Sequence, residues 1–553
     1  MRTQKIMTVL LALLASTLPN GTMYANPDGA TISESLAQES VDIASVGKEL
    51  RDAISADLID LSELRAAVER PPTGQVLRLT LEEALYIALD NNPDIVISRY
   101  EPEKAAAETL AARGEFDPVL RHNLMYADTA MSLDQRVRRY AGFSSIKATS
   151  VSSDTMLGGR LHHGTQYALQ FDMNYEESSF DRFRGEYGGQ LGLTLTQPLL
   201  RGFGRDINTI RIRAASNMRD ISEAQVKLTI LNTIAETIKS YWDLAGAMEA
   251  VRVQEGALRN AERLLDINEK RREIGTGADI DVLQAKAGVA MRQSEVIAAH
   301  ALVADAGDVL KLALNLEDDG LFSSVVVIPT DRPSPELQGV FDMNDKEGSI
   351  ERGIENAVTQ RPEMQMTDLE IANAELDEQR TRDEMRPQLD IVGSYTRGGR
   401  DRGLGRTLSG VLEQQDRSYG VGVQGSVVIG NRTAQGAHQR ARLNRRQAEE
   451  RRKKTEMALM MGVHYAGRAV MTNNALMESN RQAVRLQEAN VAAEEKRLQM
   501  GVTTSYQVLR IQEDLTAAQV QELQARISFE KALVDFQLAT GTLLHDLGID
   551  TGL

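Results

Sequence analysis

The stretch Ile274-Gly275-Thr276-Gly277-Ala278-Asp279-Ile280-Asp281-Val282-Leu283-Gln284 separates two long segments with helical periodicity. The first segment runs from Arg205 to Glu273 without a proline, and the second continues to about Leu316. Glycine adopts positive φ without strain, so the two glycines permit a tight reversal of the chain. We therefore expect this stretch to form the tip of an antiparallel helical hairpin.

A second tip with the same pattern follows later in the chain, at Met500-Gly501-Val502-Thr503-Thr504-Ser505-Tyr506-Gln507-Val508-Leu509-Arg510. Gly275 corresponds to Gly501, and Arg271 corresponds to Arg497. Further correspondences continue upstream to the start of each half. A repeat of this length indicates two duplicated halves of one architecture rather than a short solenoid unit.

The duplication and the composition of the flanking segments divide the chain into six parts. Arg2 and Lys5 precede a short apolar run, which is typical of a signal peptide, although a buried N-terminal helix is the alternative. The parts are a signal peptide (1–25), an N-terminal extension (26–75), the first repeat (76–316), a connector with one short strand (317–348), the second repeat (349–545) and a C-terminal tail (546–553).

Composition excludes several classes of function. The chain has no cysteine, which rules out disulfides, thiolate metal sites and a catalytic cysteine. Its net charge of −16 argues against a nucleic-acid partner. His162-His163 has no third ligand nearby, and no phosphate-binding or nucleophile motif is present. We therefore expect no metal site and no cofactor.

Each half also contains segments that alternate with a period of two. Leu191, Leu193 and Leu195 alternate with small or polar residues, and the second half has comparable segments. Such a strand has one apolar face, which packs on a second sheet in a soluble sandwich or faces lipid in a membrane barrel. The pattern by itself is compatible with both.

The first half carries about 43 more residues than the second between Tyr126 and Gly204. Within this insertion the segment Tyr167–Tyr175 alternates clearly. A chain that begins and ends on one side of a membrane crosses it an even number of times. The segment therefore either extends a long strand beyond the membrane or pairs with residues near 155–161 as an added hairpin. We favour the first, because the second half shows two strands.

Over roughly residues 75–545 the chain resembles the TolC family of outer-membrane efflux and secretion channels. The resemblance rests on the opening Leu79-Thr80-Leu81-Glu82-Glu83-Ala84-Leu85 with Asn92-Pro93 and on the strand end Leu195-Thr196-Gln197-Pro198-Leu199-Leu200. Its most specific element is the pair of glycine-containing tips, since the same motif occurs twice at equivalent places.

The resemblance implies a fold of class α+β, mainly α, built from duplicated halves of helix, two strands and a long helical hairpin. It implies a homotrimer, in which two strand pairs per chain give a 12-stranded outer-membrane β-barrel continuous with a periplasmic α-helical barrel. It also implies two partners, a periplasmic adaptor protein and an inner-membrane pump. The channel itself has no catalytic activity in this family.

The tips carry the residues that the resemblance singles out. The adaptor-binding set is Arg271, Gly275, Thr276, Arg497, Gly501 and Val502. The periplasmic constriction is assigned to Asp279, Asp281, Gln507 and Arg510. The family often has acidic residues after the second tip, whereas this chain has Gln507 and Arg510. An ion pair between Asp281 and Arg510 across a closed mouth would contribute only about 0–1 kcal/mol if partly exposed.

These observations predict an outer-membrane exit duct for a tripartite efflux pump or a type I secretion system, with its helical domain in the periplasm and its gate at the tips. The alternative is a secreted coiled-coil structural or adhesive protein without a pore. That alternative explains the long helices but not the duplicated strands and tips. The sequence contains no group of residues specific for one cargo or one class of pump.

Overall fold

The computed structural model describes residues 76–142, 144–179, 184–316, 325–332, 340–413 and 416–549. The signal peptide and the extension predicted for residues 1–75 lie outside the described residues. The first half contains β1 (Val76–Leu79), α1 (Leu81–Asn91), α2 (Pro93–Arg113), β2 (Val119–Ser132), α3 (Gln135–Ala141), β3 (Ser145–Arg160), β4 (Gln166–Ser178), β5 (Glu186–Pro198), α4 (Arg205–Asn208), α5 (Ile210–Glu273) and α6 (Asp279–Leu314). The rest contains β6 (Val326–Pro329), α7 (Lys346–Gln360), α8 (Pro362–Glu384), β7 (Gln388–Asp401), α9 (Leu404–Glu413), β8 (Asp416–Ser426), α10 (Arg432–Gln499), α11 (Ser505–Thr540) and α12 (Leu543–Asp546).

The helix that opens the first half begins where local backbone chemistry requires it. The Thr80 side chain accepts a hydrogen bond from the Glu83 N–H, and the Glu83 carboxylate accepts one from the Thr80 N–H, so both halves of a capping box are present. Asn92 then ends α1 and caps α2, since its side chain accepts from the Asp94 N–H. Side chains within three residues therefore fix where both helices begin.

Two helical hairpins dominate the chain. Helices α5 and α6 form the first, and α10 and α11 form the second; α5 has 64 residues and α10 has 68. At 1.5 Å per residue each is about 100 Å long. The predicted single helix from Arg205 is interrupted at Thr209, where a short α4 gives way to α5. Leu231, Ile234 and Ile238, three and four residues apart, form an apolar seam of α5 that is buried in the main core.

A short parallel strand pair holds the connector against the first half. Strand β6, which confirms the strand expected in the connector, pairs with β1 from Val76↔Val326 to Leu79↔Pro329. The pair lies on the buried Tyr241 of α5, whose hydroxyl is 3.0 Å from both the Leu79 carbonyl and the Asp331 carboxylate. Burial raises the pKa of Tyr241 to about 12, so its hydroxyl keeps its proton at neutral pH.

The remaining strands form one antiparallel six-stranded sheet in the order β2-β3-β4-β5-β7-β8. The prediction of two strand pairs per chain, on which a total of twelve strands in a trimer rested, is therefore wrong. The favoured interpretation of Tyr167–Tyr175 is also wrong: this segment is part of β4, which pairs with β3 as an added hairpin. The added pair preserves an even number of strands in the first half, which is why chain parity did not exclude it.

Directly opposed residues in an antiparallel sheet lie on the same face, so the strand register defines both faces. One row across all six strands, which we call the apolar row, consists of Leu120, Leu157, Leu169, Leu193, Tyr395 and Tyr419. A row of the opposite face, which we call the polar row, consists of Asn123, Asp154, Asp172, Gln190, Gly398 and Asp416. We name the two faces after these rows.

The short helix α9 lies on the apolar face near the ends of β5 and β7. A side chain at Gly399 would come within 2.7 Å of the Thr407 carbonyl and the Val411 N–H, so glycine is what allows α9 to approach the sheet. Across the described ranges, no helix has both the length and the apolar composition that a membrane crossing needs.

Candidate functional site

The two tips end their first helix in the same way. Gly275 has φ +76° and Gly501 has φ +72°. The Thr276 N–H donates to the Arg271 carbonyl and the Gly275 N–H to the Arg272 carbonyl, at 2.9 Å each. Val502 and Gly501 make the equivalent bonds to Arg497 and Leu498. Both tips are therefore Schellman motifs, which close the last turn of a helix with a left-handed residue.

The predicted equivalence of Arg271 and Arg497 has a structural reason. Each residue supplies the carbonyl that accepts the outer bond of its motif, and each carries a positive charge into the last turn of a helix. Positive charge is favourable there because the helix dipole places partial negative charge at that end. The backbone at Gly277 passes close to the end of α5, since a Cβ atom there would lie 2.9 Å from the backbone nitrogen of Arg272.

The second helices of the two hairpins begin differently. Thr504 caps α11, with its side chain accepting from the Gln507 N–H at 3.4 Å. Ala278 occupies the same place before α6 and offers no side-chain cap. Asp279 and Asp281 fall in the first turn of α6, where carboxylates favour the positive end of the helix dipole. The two tips therefore share their turn but differ in how the next helix starts.

A buried polar contact connects the tips. Asn268 and Ser505 are each 2% exposed, and the Ser505 hydroxyl donates to the Asn268 Oδ1 at 2.7 Å. The Asn268 amide also points to the Asp281 carbonyl at 3.5 Å. The sequence analysis missed this pair. Its signal was a polar residue, Asn268, one helical turn after the buried Leu264 in the seam of α5.

The hairpins touch again above the tips. Arg292 of α6 is 8% exposed and binds Glu295 at 2.6 Å and Glu513 of α11 at 3.4 Å. Gly288 of α6 lies under Leu509, whose side chain would be 3.2 Å from an added Cβ. Contacts of this kind hold the first hairpin against the second over several turns.

A groove of about 550 Å³ opens between the two tips. The residues that line it are Asn260, Arg263, Leu264, Ile267, Arg271, Ile274, Thr276, Glu495, Leu498, Gln499, Val508 and Gln512. Arg271 and Thr276 thus line it from the first hairpin, as two of the predicted adaptor-binding residues. Its floor is the small core of Leu264, Leu498 and Val508. Arg497, Gly501 and Val502 lie at the second tip, where all three are exposed.

The residues predicted to form the constriction are at the surface of the single chain. Asp279, Gln507 and Arg510 are exposed, and Asp281 is half-buried. Within the described ranges Asp281 and Arg510 form no ion pair with each other. An interaction between them across a threefold axis stays a prediction.

Glu530 of α11, which the sequence analysis missed, is half-buried and has one fully enclosed carboxylate oxygen. Its Oε1 has no hydrogen-bond partner, and burial raises the pKa of Glu530 to about 7, although nearby Arg526 acts in the opposite direction. A carboxyl group with this pKa changes charge near neutral pH. No periodic signal marks the position, because burial here depends on contacts between helices.

The histidine pair at the β3–β4 turn has structural contacts in the chain. The ring of His162 stacks on Phe116 with a centroid distance of 4.3 Å, and the His163 carbonyl accepts from the Gly204 N–H at 3.2 Å. Across the described residues, no group of three His, Cys, Asp or Glu side chains is arranged to hold a metal ion.

Solved structures of channels share this fold. The channel OprN matches with a TM-score of 0.61 at 16% identity, over 83% of this chain and 89% of that chain. CmeC, an outer membrane channel from Campylobacter jejuni, matches with a TM-score of 0.59 at 15% identity, over 85% and 90%. CusC matches with a TM-score of 0.62 at 13% identity, over 84% and 92%. At these identities the similarity concerns the fold. No curated protein sequence matches the chain.

The family comparison covers both halves. The model of the family described as "Outer membrane efflux protein" matches residues 84–316 and 353–542, which include both tips and all six strands of the sheet. The alternative of a secreted coiled-coil protein without a pore gains no support. The chain belongs to the outer membrane efflux protein family, and it is an outer-membrane protein whose helical domain lies in the periplasm.

Proposed function

We propose that three copies of this chain form the outer-membrane exit duct of a tripartite efflux pump or a type I secretion system. The sheets of the three copies close into one β-barrel, and the helical hairpins form a tunnel across the periplasm. The duct is passive and has no catalytic activity, because the energy comes from an inner-membrane pump. Substrate passes from the pump through the tunnel to the exterior.

The observation that carries this proposal is the direct continuity of the sheet with the long helices. Strand β5 leads through Gly204 into α4 and α5, and β8 leads through Gly430 into α10. The same sheet has one apolar and one polar face, as a wall between lipid and water requires. Helices of about 100 Å are much longer than a bilayer core of roughly 30 Å, so they extend well beyond the membrane.

The tips are the part of the duct that meets the adaptor. The groove beside Arg271 and Thr276 has an apolar floor and a polar rim, which suits an amphipathic helix of the adaptor. Gly275 and Gly501 shape the two turns, while Arg497 and Val502 are exposed at the second tip. These six residues form the proposed contact set.

The same end of the duct is the proposed gate. In a trimer, Asp281 and Arg510 from three copies face one axis, together with Asp279 and Gln507. A partly exposed ion pair of this kind tunes the gate by about 0–1 kcal/mol rather than locking it.

Single-channel conductance in planar bilayers tests the proposal. We expect the purified trimer to conduct in small steps and the variants Asp281→Ala and Arg510→Ala to conduct more. Asp266→Ala is the matched control, because Asp266 is an exposed carboxylate on α5 that pairs with Lys270 away from the turn. No conductance from a folded trimer that stays in the outer-membrane fraction after an alkaline wash would refute the exit duct. Unchanged conductance in both tip variants would refute the gate alone.

A further inference from the structure

The added β3–β4 hairpin is a full member of the sheet. Strand β3 pairs with β2 from Ser132↔Ser145 to Val119↔Gly158, and β4 pairs with β5 from Gln166↔Thr196 to Glu176↔Glu186. All six strands therefore span the same height. The hairpin does not lie above or beside the sheet, since it separates β2 from β5 along their whole length.

The turn of this hairpin is fixed where the sheet meets the helices. Gly164 has φ +94°, and a side chain there would lie 2.3 Å from the Gly202 carbonyl, so only glycine fits without displacing backbone. Arg160, at the end of β3, pairs with Glu115 at 3.0 Å and also donates to the Asn208 side chain at the start of the helices. The hairpin thus turns on the side of the sheet from which the long helices leave.

Both faces of the hairpin match those of its neighbours. Leu157 and Leu169 continue the apolar row, and Tyr167, Phe171 and Met173 lie on the same face of β4. Strand β3 contributes smaller side chains to this face, such as those of Ser153 and Thr155. On the opposite face, Asp154 and Asp172 are directly opposed members of the polar row.

Opposed carboxylates of this kind destabilise a strand pair unless water solvates them. The alternation therefore places lipid on one side of the hairpin and water on the other, as in the other four strands.

The sheet leaves two edges without a partner in the described chain, one on β2 and one on β8. A free strand edge is not tolerated in a membrane, because its backbone groups have no water to bond with. Strand β2 runs away from the helices and β8 runs back toward them, so β8 of one copy and β2 of the next pair in antiparallel fashion. Closure by a second copy of this chain satisfies both edges.

We propose that the barrel wall contains six strands from each of three copies, eighteen in all, with the β3–β4 hairpin as a wall element that widens the pore. This inference rests on the trimeric duct proposed above. With strands about 4.8 Å apart and tilted by about 40°, eighteen strands give a backbone diameter of about 36 Å, against about 24 Å for twelve. The cross-section of the barrel grows by a factor of about two.

Disulfide cross-linking tests the wall directly, because the chain has no native cysteine. We expect Leu124→Cys with Ser153→Cys, which are directly opposed, to form a disulfide within one chain. Leu120→Cys or Leu124→Cys combined with Val421→Cys on β8 is expected to give covalent dimers and trimers. In contrast, Leu124→Cys with Leu191→Cys on β5 is expected to remain reduced, since three strand spacings of about 4.8 Å exceed the reach of a disulfide.

Ion selectivity gives an independent measurement. If the hairpin is part of the wall, Asp154→Asn with Asp172→Asn removes six carboxylates from the lumen of a trimer, and the preference of the pore for cations falls. Phe171→Gln, on the apolar face of the same strand, is the matched control and leaves the selectivity unchanged.

Two results would overturn the eighteen-stranded wall: a disulfide between β2 and β5 in membrane-inserted trimers, or an unchanged reversal potential in the double Asp variant. Failure of the duct itself gives a different result. The protein would then not form trimers in the outer membrane at all, and no pair of cysteines would link one copy to another.

Discussion

Tyr241→Phe removes one hydroxyl group from the contact between the first half and the connector and leaves the packing of the ring in place. The hydroxyl has one proton, which it donates to the Leu79 carbonyl or to the Asp331 carboxylate, and it accepts from the Asp331 N–H at 3.2 Å. Because its pKa is raised to about 12, the hydroxyl remains a donor at every pH at which the protein would be studied.

The size of the destabilisation depends on which partners of the Tyr241 hydroxyl lose their last hydrogen bond. The Leu79 carbonyl keeps the Thr330 N–H at 3.0 Å and the Thr330 hydroxyl at 3.1 Å. The Asp331 carboxylate keeps the Leu81 N–H at 2.7 Å. The Asp331 N–H is left without the hydroxyl as its acceptor. One unpaired buried N–H with one lost bond destabilises by about 2 kcal/mol, which corresponds to a factor of about thirty in a local opening equilibrium.

Hydrogen exchange measured by mass spectrometry is the appropriate assay, because it reports local opening of the strand pair separately from unfolding of the whole chain. We expect amides of residues 76–81 and 326–331 to exchange about thirtyfold faster in Tyr241→Phe, and amides at the two tips to be unchanged. Tyr86→Phe is the control, because Tyr86 is 63% exposed on α1. Equal exchange in both variants, or faster exchange at the tips, would refute the reasoning.

Three further predictions concern the hairpins. Gly275→Ala places a side chain at φ +76° and should destabilise the first tip by about 1–2 kcal/mol, measured as faster hydrogen exchange at that tip. Gly275→Asn should recover part of this loss, because asparagine tolerates the left-handed backbone better than alanine. Equal effects of the two variants would contradict the role of the left-handed backbone. Ser505→Ala leaves the buried Asn268 Oδ1 without its donor and should destabilise the contact between the tips by about 1–2 kcal/mol, measured as faster hydrogen exchange at both tips. Ser294→Ala is the control, because the Ser294 hydroxyl bonds only within its own exposed helical turn. Glu530→Gln should raise thermal stability at pH 8 but not below pH 4.5. In the folded protein Glu530 holds its proton up to about pH 7, whereas in the unfolded chain it releases the proton near pH 4.5. Wild type therefore loses stability as the pH rises from 4.5 to about 7, by at most about 3 kcal/mol. A constant difference in melting temperature across this window would contradict the prediction.

The features that the sequence predicted well are those governed by neighbouring residues. Gly275 and Gly501 were identifiable because a helix that ends in a left-handed turn needs glycine, and Thr80 was identifiable because its partner Glu83 is three residues away. The seam of Leu231, Ile234 and Ile238 has the periodicity of a helix. In each case the physical cause acts within one or two turns of chain, so the local sequence contains it.

The features that it missed depend on distant contacts. Whether β4 extends a neighbour or forms a new hairpin is decided by pairing with β3 and β5, and the alternation of its side chains is the same in both cases. The Asn268–Ser505 contact joins residues from different halves. The burial of Glu530 likewise depends on helix packing. Strand pairing and helix packing decide all three features, and the residues near each one in sequence do not show which pairing or packing forms.

The β3–β4 hairpin also bears on how a duct of this kind can evolve. Its turn lies at Gly164, close to Gly202 and Asn208, so the chain leaves the sheet toward α5 from the same side as it would without the hairpin. Insertion of a whole hairpin at this place would therefore widen the sheet without requiring a change in the helices or the tips. In the proposed duct the two regions would be separable modules: the number of hairpins would set the width of the pore, while the tips proposed to contact the adaptor would stay the same.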